Sequence, residues 1–487
     1  MIMRYNKKWP VLLVALFTFV TFGCASLPSG DINVSGEAVV KAAMKYIGRP
    51  YRHGMAGPNV FDCSGFTSFI YKQFDISLSR DSRAQYRQGV SVGRKDLRVG
   101  DLVFFTSPRS GRSVGHVGIV SKVESDGNFY FVHAARRGVI EDSYRASSYY
   151  YNRYVGARRV ISDKDTLTIA MCGDIMMGTT YPSVQLPDND GRDIFLDTKE
   201  LTTAADIALG NLEGAITDAG HCTKGNGPNT YAFRMPTSYG HLLGEAGYDY
   251  LSLANNHAND FDTEGIASTE QVLEEQGIKF SGIEGRTESA VVERDGIRYG
   301  LCAFGHNSYT LKHKDLTTVK RILDDLKKKS DVVVVSFHGD AEGRDKRHLP
   351  IGTEMFLGED RGNLREFTHF CIENGADVVF GHGPHVCRAM EVYKGKFIAY
   401  SLGNFCTPYG MSLTSISAYA PVVTIKIDRK GRFLEGKIHS FIQQKGVGPR
   451  KDNSDAVARE IKELTESDIQ GSPIRIDGAG NITLADE

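Results

Sequence analysis

Six apolar runs between residues 167 and 405 each stop at a polar side chain able to bind a metal or move a proton. Leu167 to Cys172 runs into Gly173-Asp174, Ala205 to Leu209 into Gly210-Asn211-Leu212-Glu213, and Tyr250 to Ala254 into Asn255-Asn256-His257. Val332 to Phe337 runs into His338-Gly339-Asp340-Ala341-Glu342, Val378 to Phe380 into Gly381-His382-Gly383-Pro384-His385, and Phe397 to Tyr400 into Ser401-Leu402-Gly403-Asn404-Phe405. Helical spacing separates several of them, as in Thr263 to Gln276 and Lys320 to Lys329. Strand ends alternating with helices predict an α/β fold whose function lies at the carboxyl edge of its strands. The collected Asp, Glu, Asn and His side chains suit Mn, Fe or Zn better than Ca or Mg alone.

The first third of the chain carries different chemistry. Glu37 to Ile47 has helical apolar spacing and Gly48 can end it. In Phe61-Asp62-Cys63-Ser64-Gly65-Phe66, Asp62 is a good N-cap and places Cys63 in the first turn of a helix through Phe66, Phe69 and Ile70. There the backbone N–H groups and the helix dipole favour the thiolate, so a depressed thiol pKa is expected. Leu102 to Phe105, Val117 to Val123 and Phe129 to Val132 read as antiparallel strands. Period-two alternation in Gly115-His116-Val117-Gly118 puts His116 on the face of Gly118, which leaves room for an imidazole to meet the thiol. A second imidazole, His133, follows the next strand. A thiol nucleophile, a base and an orienting group are the parts of thiolate-based acyl transfer.

At 487 residues the chain exceeds what one core usually serves, so two or more domains are expected. A net charge of −1 gives no sign of a nucleic-acid partner or an electrostatic membrane patch. Arg4, Lys7 and Lys8 precede the apolar run Val11 to Val20, which is the layout of a secretory signal and too short to span a bilayer. The run ends in Thr21-Phe22-Gly23-Cys24-Ala25-Ser26, which resembles a degenerate bacterial lipobox cleaved before Cys24. A diacylated Cys24 would anchor the chain stably, on the outer membrane facing the periplasm in a Gram-negative cell. Removing the signal takes away three positive charges and the only tryptophan, Trp9. Seven cysteines follow Cys24, an odd number that leaves at least one thiol free.

The first region resembles the NlpC-type cysteine peptidases, papain-like enzymes that cut cell-wall peptides after γ-D-glutamate. The matching stretches are Gly48-Arg49-Pro50-Tyr51, Phe61 to Phe66, Ser79-Arg80-Asp81-Ser82, Val99 to Phe105, Gly115-His116-Val117-Gly118 and His133. The resemblance implies that Cys63 is the nucleophile, His116 the base and His133 its orienting partner. It places Tyr51 near the oxyanion site, and Asp62, Ser64 and Arg80 near the pocket for the free amine of the substrate's L-Ala. No cofactor is implied there. His53 stands where Trp is common and Met55 where Gly is common, so substrate preference departs from the pattern.

The second region resembles the CapA-type domain of poly-γ-glutamate capsule proteins, related to calcineurin-like metallophosphatases. The resemblance implies Asp174, Glu213, Asn255, His338, His382 and His385 as metal ligands for Mn, Fe or Zn, with His257 as an acid or phosphate contact. Asp174 is followed by Ile175-Met176, so the phosphatase Asp-x-His is absent, and His338 to Glu342 lacks the family's usual Trp.

The expected map is a lipoprotein signal over 1–23, a tether over 24–34 and an α+β papain-like NlpC domain over 35–160. A linker over 161–166 leads to an α/β metallophosphatase-like (CapA-type) domain over 167–445, and 446–487 is a C-terminal extension with no readable motif. The expected function is that of a lipid-anchored cell-envelope hydrolase. Its endopeptidase cleaves γ-D-glutamyl-diamino acid bonds of peptidoglycan stem peptides, and its second domain acts on or binds poly-γ-glutamate or a related polymer. The alternative is a capsule or envelope assembly factor whose CapA-like domain binds or transfers polymer without hydrolysis.

Overall fold

The computed structural model describes residues 35–485 except 75, 108–112, 162–165 and 226–229. The signal, the tether and most of the linker expected from sequence, with Cys24 among them, lie outside the described residues. The first domain opens with helix α1 (Gly36–Met44), capped by Ser35, whose hydroxyl accepts from the Ala38 N–H. Helix α2 (Cys63–Lys72) follows, and Asp62 caps it by accepting from the Gly65 N–H, as the sequence predicts.

Six strands complete this domain: β1 (Val90–Val92), β2 (Leu102–Thr106), β3 (Val114–Val123), β4 (Phe129–Ala135), β5 (Gly138–Ser143) and β6 (Tyr154–Arg159). They form one antiparallel sheet in the order β1-β6-β2-β3-β4-β5. Alternation sorts the β2 side chains between two cores. Leu102 and Phe104 pack with Phe66 and Ile70 of α2, while Val103 and Phe105 pack with Phe129 and Phe131. The apolar spacing of α2 therefore seats it on one face of the sheet and sets Cys63 over β3.

The second domain is two sheets packed face to face with helices outside, where the sequence predicts only an α/β pattern. One sheet holds Lys279–Ser281, Tyr250–Ser252, Ile207–Leu212, Thr166–Ile175, Val422–Asp428 and Phe433–His439 in that order, and ends in Asn481–Leu484 and Ile474–Ile476. The other runs Ser289–Arg294, Ile297–Phe304, Val332–His338, Val378–His382, Lys396–Ala399 and Met390–Tyr393. Leu167, Ile169, Leu209, Val332, Val334, Val378 and Phe380 meet in the core between the sheets. Their alternate neighbours Val333, Val335 and Val379 pack outward against Leu316–Lys329 and Leu364–Glu373. Strands buried on both faces read as continuous apolar runs, and Val332–His338 is buried at all seven positions. Period two then aims His338 and His382 between the sheets, on the side of Val334 and Phe380.

Asp174 reaches the same space by a different device. By strict alternation it would follow Ala170 and Cys172 toward the helices. The register shifts between Met171 and Asp174, so Asp174 pairs with Asn211, on the face of Leu209. A bulge re-aims the side chain. Gly173 permits it, because a Cβ there would lie 1.9 Å from the Gly403 carbonyl oxygen.

The stretch from 446 onward is part of the second domain rather than an extension. Ala456–Asp468 is an amphipathic helix whose Val457, Ala458 and Ile461 enter the core between the sheets, and Ile474–Ile476 with Asn481–Leu484 close the edge of the first sheet. Replacing fully buried Ile461 with Ala should therefore cost about 2–4 kcal/mol. Urea denaturation should show it as a lower midpoint with an unchanged slope; an unshifted midpoint would mean that this helix is not integral.

Candidate functional site

The first site is built on the start of α2 and the middle of the sheet. Cys63 lies in the first turn of α2, half-buried, with the backbone N–H groups of Ser64 and Val117 turned toward its sulfur. His116, beside Val117 on β3, brings Nε2 within 2.8 Å of His133 Nδ1 on β4. Gly118 makes that approach possible, since a Cβ there would lie 3.1 Å from the His133 Cβ and 2.6 Å from the Phe131 ring. Tyr51 stands close enough to Cys63 and Asp62 for both to raise its pKa, after burial as the larger cause.

The structure also joins Asp62, Ser64 and Arg80. Arg80 pairs in a fork with both Asp62 oxygens at 2.8 and 2.7 Å, and the Ser64 hydroxyl donates to the Arg80 carbonyl. The Asp62 oxygens also accept from the Gly54 and Gly65 N–H groups. Two donors per oxygen saturate the carboxylate, so Asp62 acts here as a cap and a clamp on Arg80.

The depressed thiol pKa expected from the helix start is not what the structure gives. Burial, with the Asp62 charge adding to it, pushes Cys63 up to about 11 against the backbone N–H groups that favour the thiolate. Burial and the neighbouring His133 push His116 well below the usual histidine range. Burial thus disfavours the charged form of each group taken alone.

In the second domain, Asp174, Glu213, His338, His382 and His385 converge between the carboxyl ends of the strands. His385 and His382 place Nδ1 at 3.1 and 3.4 Å from the two Asp174 oxygens, and His338 Nε2 lies 3.4 Å from Glu213 Oε1. Asn211 donates to Asp174 and Glu213 at 2.9 and 2.7 Å and ties the carboxylates together. Burial would raise the Asp174 carboxyl, but His382 and His385 hold it far below the carboxylate range. Burial, reinforced by the Asp174 charge, raises Glu213. His338 is driven down to about 3 by burial, whereas Asp174 outweighs burial at His385 and lifts it to about 9.

Among the described residues no three His, Cys, Asp or Glu side chains stand in a ready-made coordination cage. Even so, His338 Nδ1 and His382 Nε2 are buried without a hydrogen-bond partner, and Glu213 Oε1 and the other two ring nitrogens have only the loose 3.4 Å approaches given above. Native structures rarely leave buried polar atoms unpaired, and carboxylate oxygens with imidazole nitrogens are the donors a transition metal takes. The residues therefore fit a metal chemically.

Asn255 and His257 stand to one side of this cluster. The Asn255 amide donates to Asn211 and to the Leu212 carbonyl, and its oxygen accepts from the His257 N–H. Both ends of its amide are thus engaged within the protein, and through Asn211 it braces the two carboxylates. His257 Nδ1 lies 2.8 Å from both Asp260 and Lys224, under the Phe233 ring.

Several site residues escaped the sequence reading. Asp142 on β5 lies 3.1 Å from His133 Nε2 and became visible only through strand register. His306, whose ring is parallel to His338, and buried His313 each have an unpartnered Nε2. Both lie outside the strand-end pattern that led to the other histidines. Asn211 was in view inside the Gly210 to Glu213 run but carried no assigned role.

Comparison with known proteins matches both regions to families. Residues 48–159 match the NlpC/P60 family, and residues 168–409 match the family described as bacterial capsule synthesis protein PGA_cap. This chain is an NlpC/P60 domain joined to a PGA_cap domain. Its first domain is of a cysteine-type peptidase family and its second of a capsule synthesis family. The PGA biosynthesis protein CapA of Bacillus subtilis is 26% identical over 318 residues, covering 62% of this chain and 78% of that protein. A probable endopeptidase of Corynebacterium glutamicum is 48% identical over 87 residues, covering 18% of this chain and 39% of its own length. The gamma-DL-glutamyl hydrolase of Bacillus subtilis is 29% identical over 168 residues, covering 34% of this chain and 39% of that protein. The chain thus spans less than half the length of each of these two hydrolase relatives.

Proposed function

We propose that the protein is a cell-envelope hydrolase whose first domain cleaves the bond after γ-D-glutamate in peptidoglycan stem peptides, with Cys63 as nucleophile and His116 as base. The observation that carries this reading is the His116–His133 pair on the strand whose Val117 N–H faces the Cys63 sulfur at a helix start. The hydrolase relatives, one acting on γ-linked glutamate by its name, point to the same bond. In this reading Cys63 loses its proton to His116, and the thiolate attacks the γ-carbonyl carbon. The developing oxyanion meets the N–H groups at the start of α2 with Tyr51 nearby. His116 then protonates the departing amine as the C–N bond breaks, and water hydrolyses the thioester. Asp62, Ser64 and Arg80 border the substrate side, where the saturated Asp62 holds Arg80 in place.

The second domain, in the same reading, acts on or binds poly-γ-glutamate or a related anionic polymer. Asp174, Glu213, His338, His382 and His385 would hold a Mn, Fe or Zn ion there, which would supply Lewis-acid activation of a hydrolytic water. Asn211 and Asn255 keep the donors in place. The N-terminal basic residues, the apolar run and Cys24 support export and lipid anchoring in the envelope. Among the described residues no helix is long and apolar enough to cross a membrane.

Muropeptides incubated with the protein should lose L-Ala-γ-D-Glu, seen by mass spectrometry, and Cys63→Ala should abolish the loss. Intact muropeptides with both proteins would exclude this endopeptidase activity. Metal analysis of the purified chain should find a transition metal that His382→Ala with His385→Ala removes; a metal-free chain would favour polymer binding without hydrolysis. Labelled palmitate should enter the full chain in a bacterial host and be lost from Cys24→Ala, whereas an unlabelled wild type would remove the anchor.

A further inference from the structure

A line of three polar side chains crosses β3, β4 and β5 diagonally. His116 Nε2 lies 2.8 Å from His133 Nδ1, and His133 Nε2 lies 3.1 Å from Asp142 Oδ2. Strand register builds it. His133 pairs with Ile140, so Asp142, two residues on, is its diagonal neighbour on the same face. His116 stands in the same relation to His133 on the other side, two residues from Gly118.

An ionised carboxylate only accepts hydrogen bonds. His133 must therefore donate to Asp142 from Nε2. A neutral imidazole carries one N–H, so His133 Nδ1 is an acceptor, and His116 has to donate to it from Nε2. The lone pair of His116 is then left on Nδ1, the atom free to take the Cys63 proton. One carboxylate thus fixes the tautomer of two rings in succession.

We infer that Asp142 is a positioning residue of the peptidase. It sets the tautomer of His116 through His133, and it stabilises the imidazolium that forms when His116 is protonated. The Cys63 S–H bond breaks, an N–H bond forms at His116 Nδ1, and the charge is countered across His133 by Asp142, which itself takes no proton. Other groups face the line from three sides. Tyr150 stacks on His116 with its hydroxyl 3.5 Å from His133 Nδ1, Arg137 holds both Asp142 oxygens at 3.2 Å, and Cys63 faces it from α2. The His133 hydrogen bond first, and Arg137 after it, keep the Asp142 carboxyl below its usual range, and the Arg137 side chain is 72% exposed, so solvent screens its charge from the imidazolium.

The inference rests on Cys63 and His116 as nucleophile and base, but not on which bond is cut. Its test needs no substrate. Iodoacetamide labelling of Cys63 in the full chain, read by mass spectrometry across pH 5 to 11, is compared among wild type, Asp142→Asn and Asp142→Glu. Asp142→Asn can still accept from His133 but lacks the charge. It should label at least tenfold more slowly than wild type at pH 6, and converge with it as the pH nears that of the free thiol. Asp142→Glu should recover most of the rate. Overlapping curves, or a fall of equal size at every pH, would overturn the role of Asp142. A wild type with no labelling at Cys63 below pH 7 would overturn the underlying assignment as well.

Discussion

The core between the two sheets of the second domain excludes water from the ends of Val332–His338 and Val378–His382, and most of that domain's chemistry follows from this exclusion. Leu167, Ile169, Val334, Val378 and Phe380 bury their side chains together, and farther along the same faces stand His338, His382 and Asn211. Polar atoms delivered there cannot be solvated. They are satisfied by one another, as in the Asn211 bonds to Asp174 and Glu213, or they stand without partners, as His338 Nδ1 and His382 Nε2 do. An unpartnered buried donor or acceptor costs on the order of 1–3 kcal/mol. Such a cluster persists because the apolar contacts around it outweigh that cost.

Two loops behind the cluster are fixed by equally costly means. Arg388 is fully buried and pairs with Asp340 at 2.8 Å and Glu354 at 3.0 Å, while its Nε donates to the Lys346 carbonyl. Removing one partner from such a group strands the other charge, so the network locks the loop that leaves His338. Asp340 and His385 both adopt left-handed backbone, at φ 71° and 58°, within three residues of a strand end. That conformation is uncommon outside glycine and lets the chain reverse quickly enough for His382 and His385 to reach the same carboxylate.

Much of this was legible from sequence because it depends on short-range pattern. Asp62 as a cap and His116 facing with Gly118 follow from spacing alone, and so do the strand ends that carry Asp174, Glu213, His338 and His382. What stayed hidden depends on partners far along the chain. Asp142 joins the first site through the register of β4 on β5, and Asp174 faces inward through a bulge that no local pattern announces. The strands Ile474–Ile476 and Asn481–Leu484 are too short to signal themselves, so a piece of the sheet read as an extension. The thiol of Cys63 was misjudged for a related reason: helix position is visible in sequence, whereas the desolvation that outweighs it belongs to the packed fold.

The two sites answer the same constraint in opposite ways. In the first, every ring nitrogen of buried His133 is bonded, and the line ends at Asp142 and the exposed Arg137, where solvent can screen the charge. Such a chain is complete within the protein. In the proposed mechanism it is already in place to take up one positive charge, which is what electrostatic preorganisation requires. In the second, the donors outnumber the hydrogen atoms available to join them. Asp174 and Glu213 bring only acceptors when ionised, and His338 Nδ1 and His382 Nε2 are left unpaired. Hydrogen bonds within the protein leave that set incomplete, which is why the proposed cation would suit it by charge as well as by coordination.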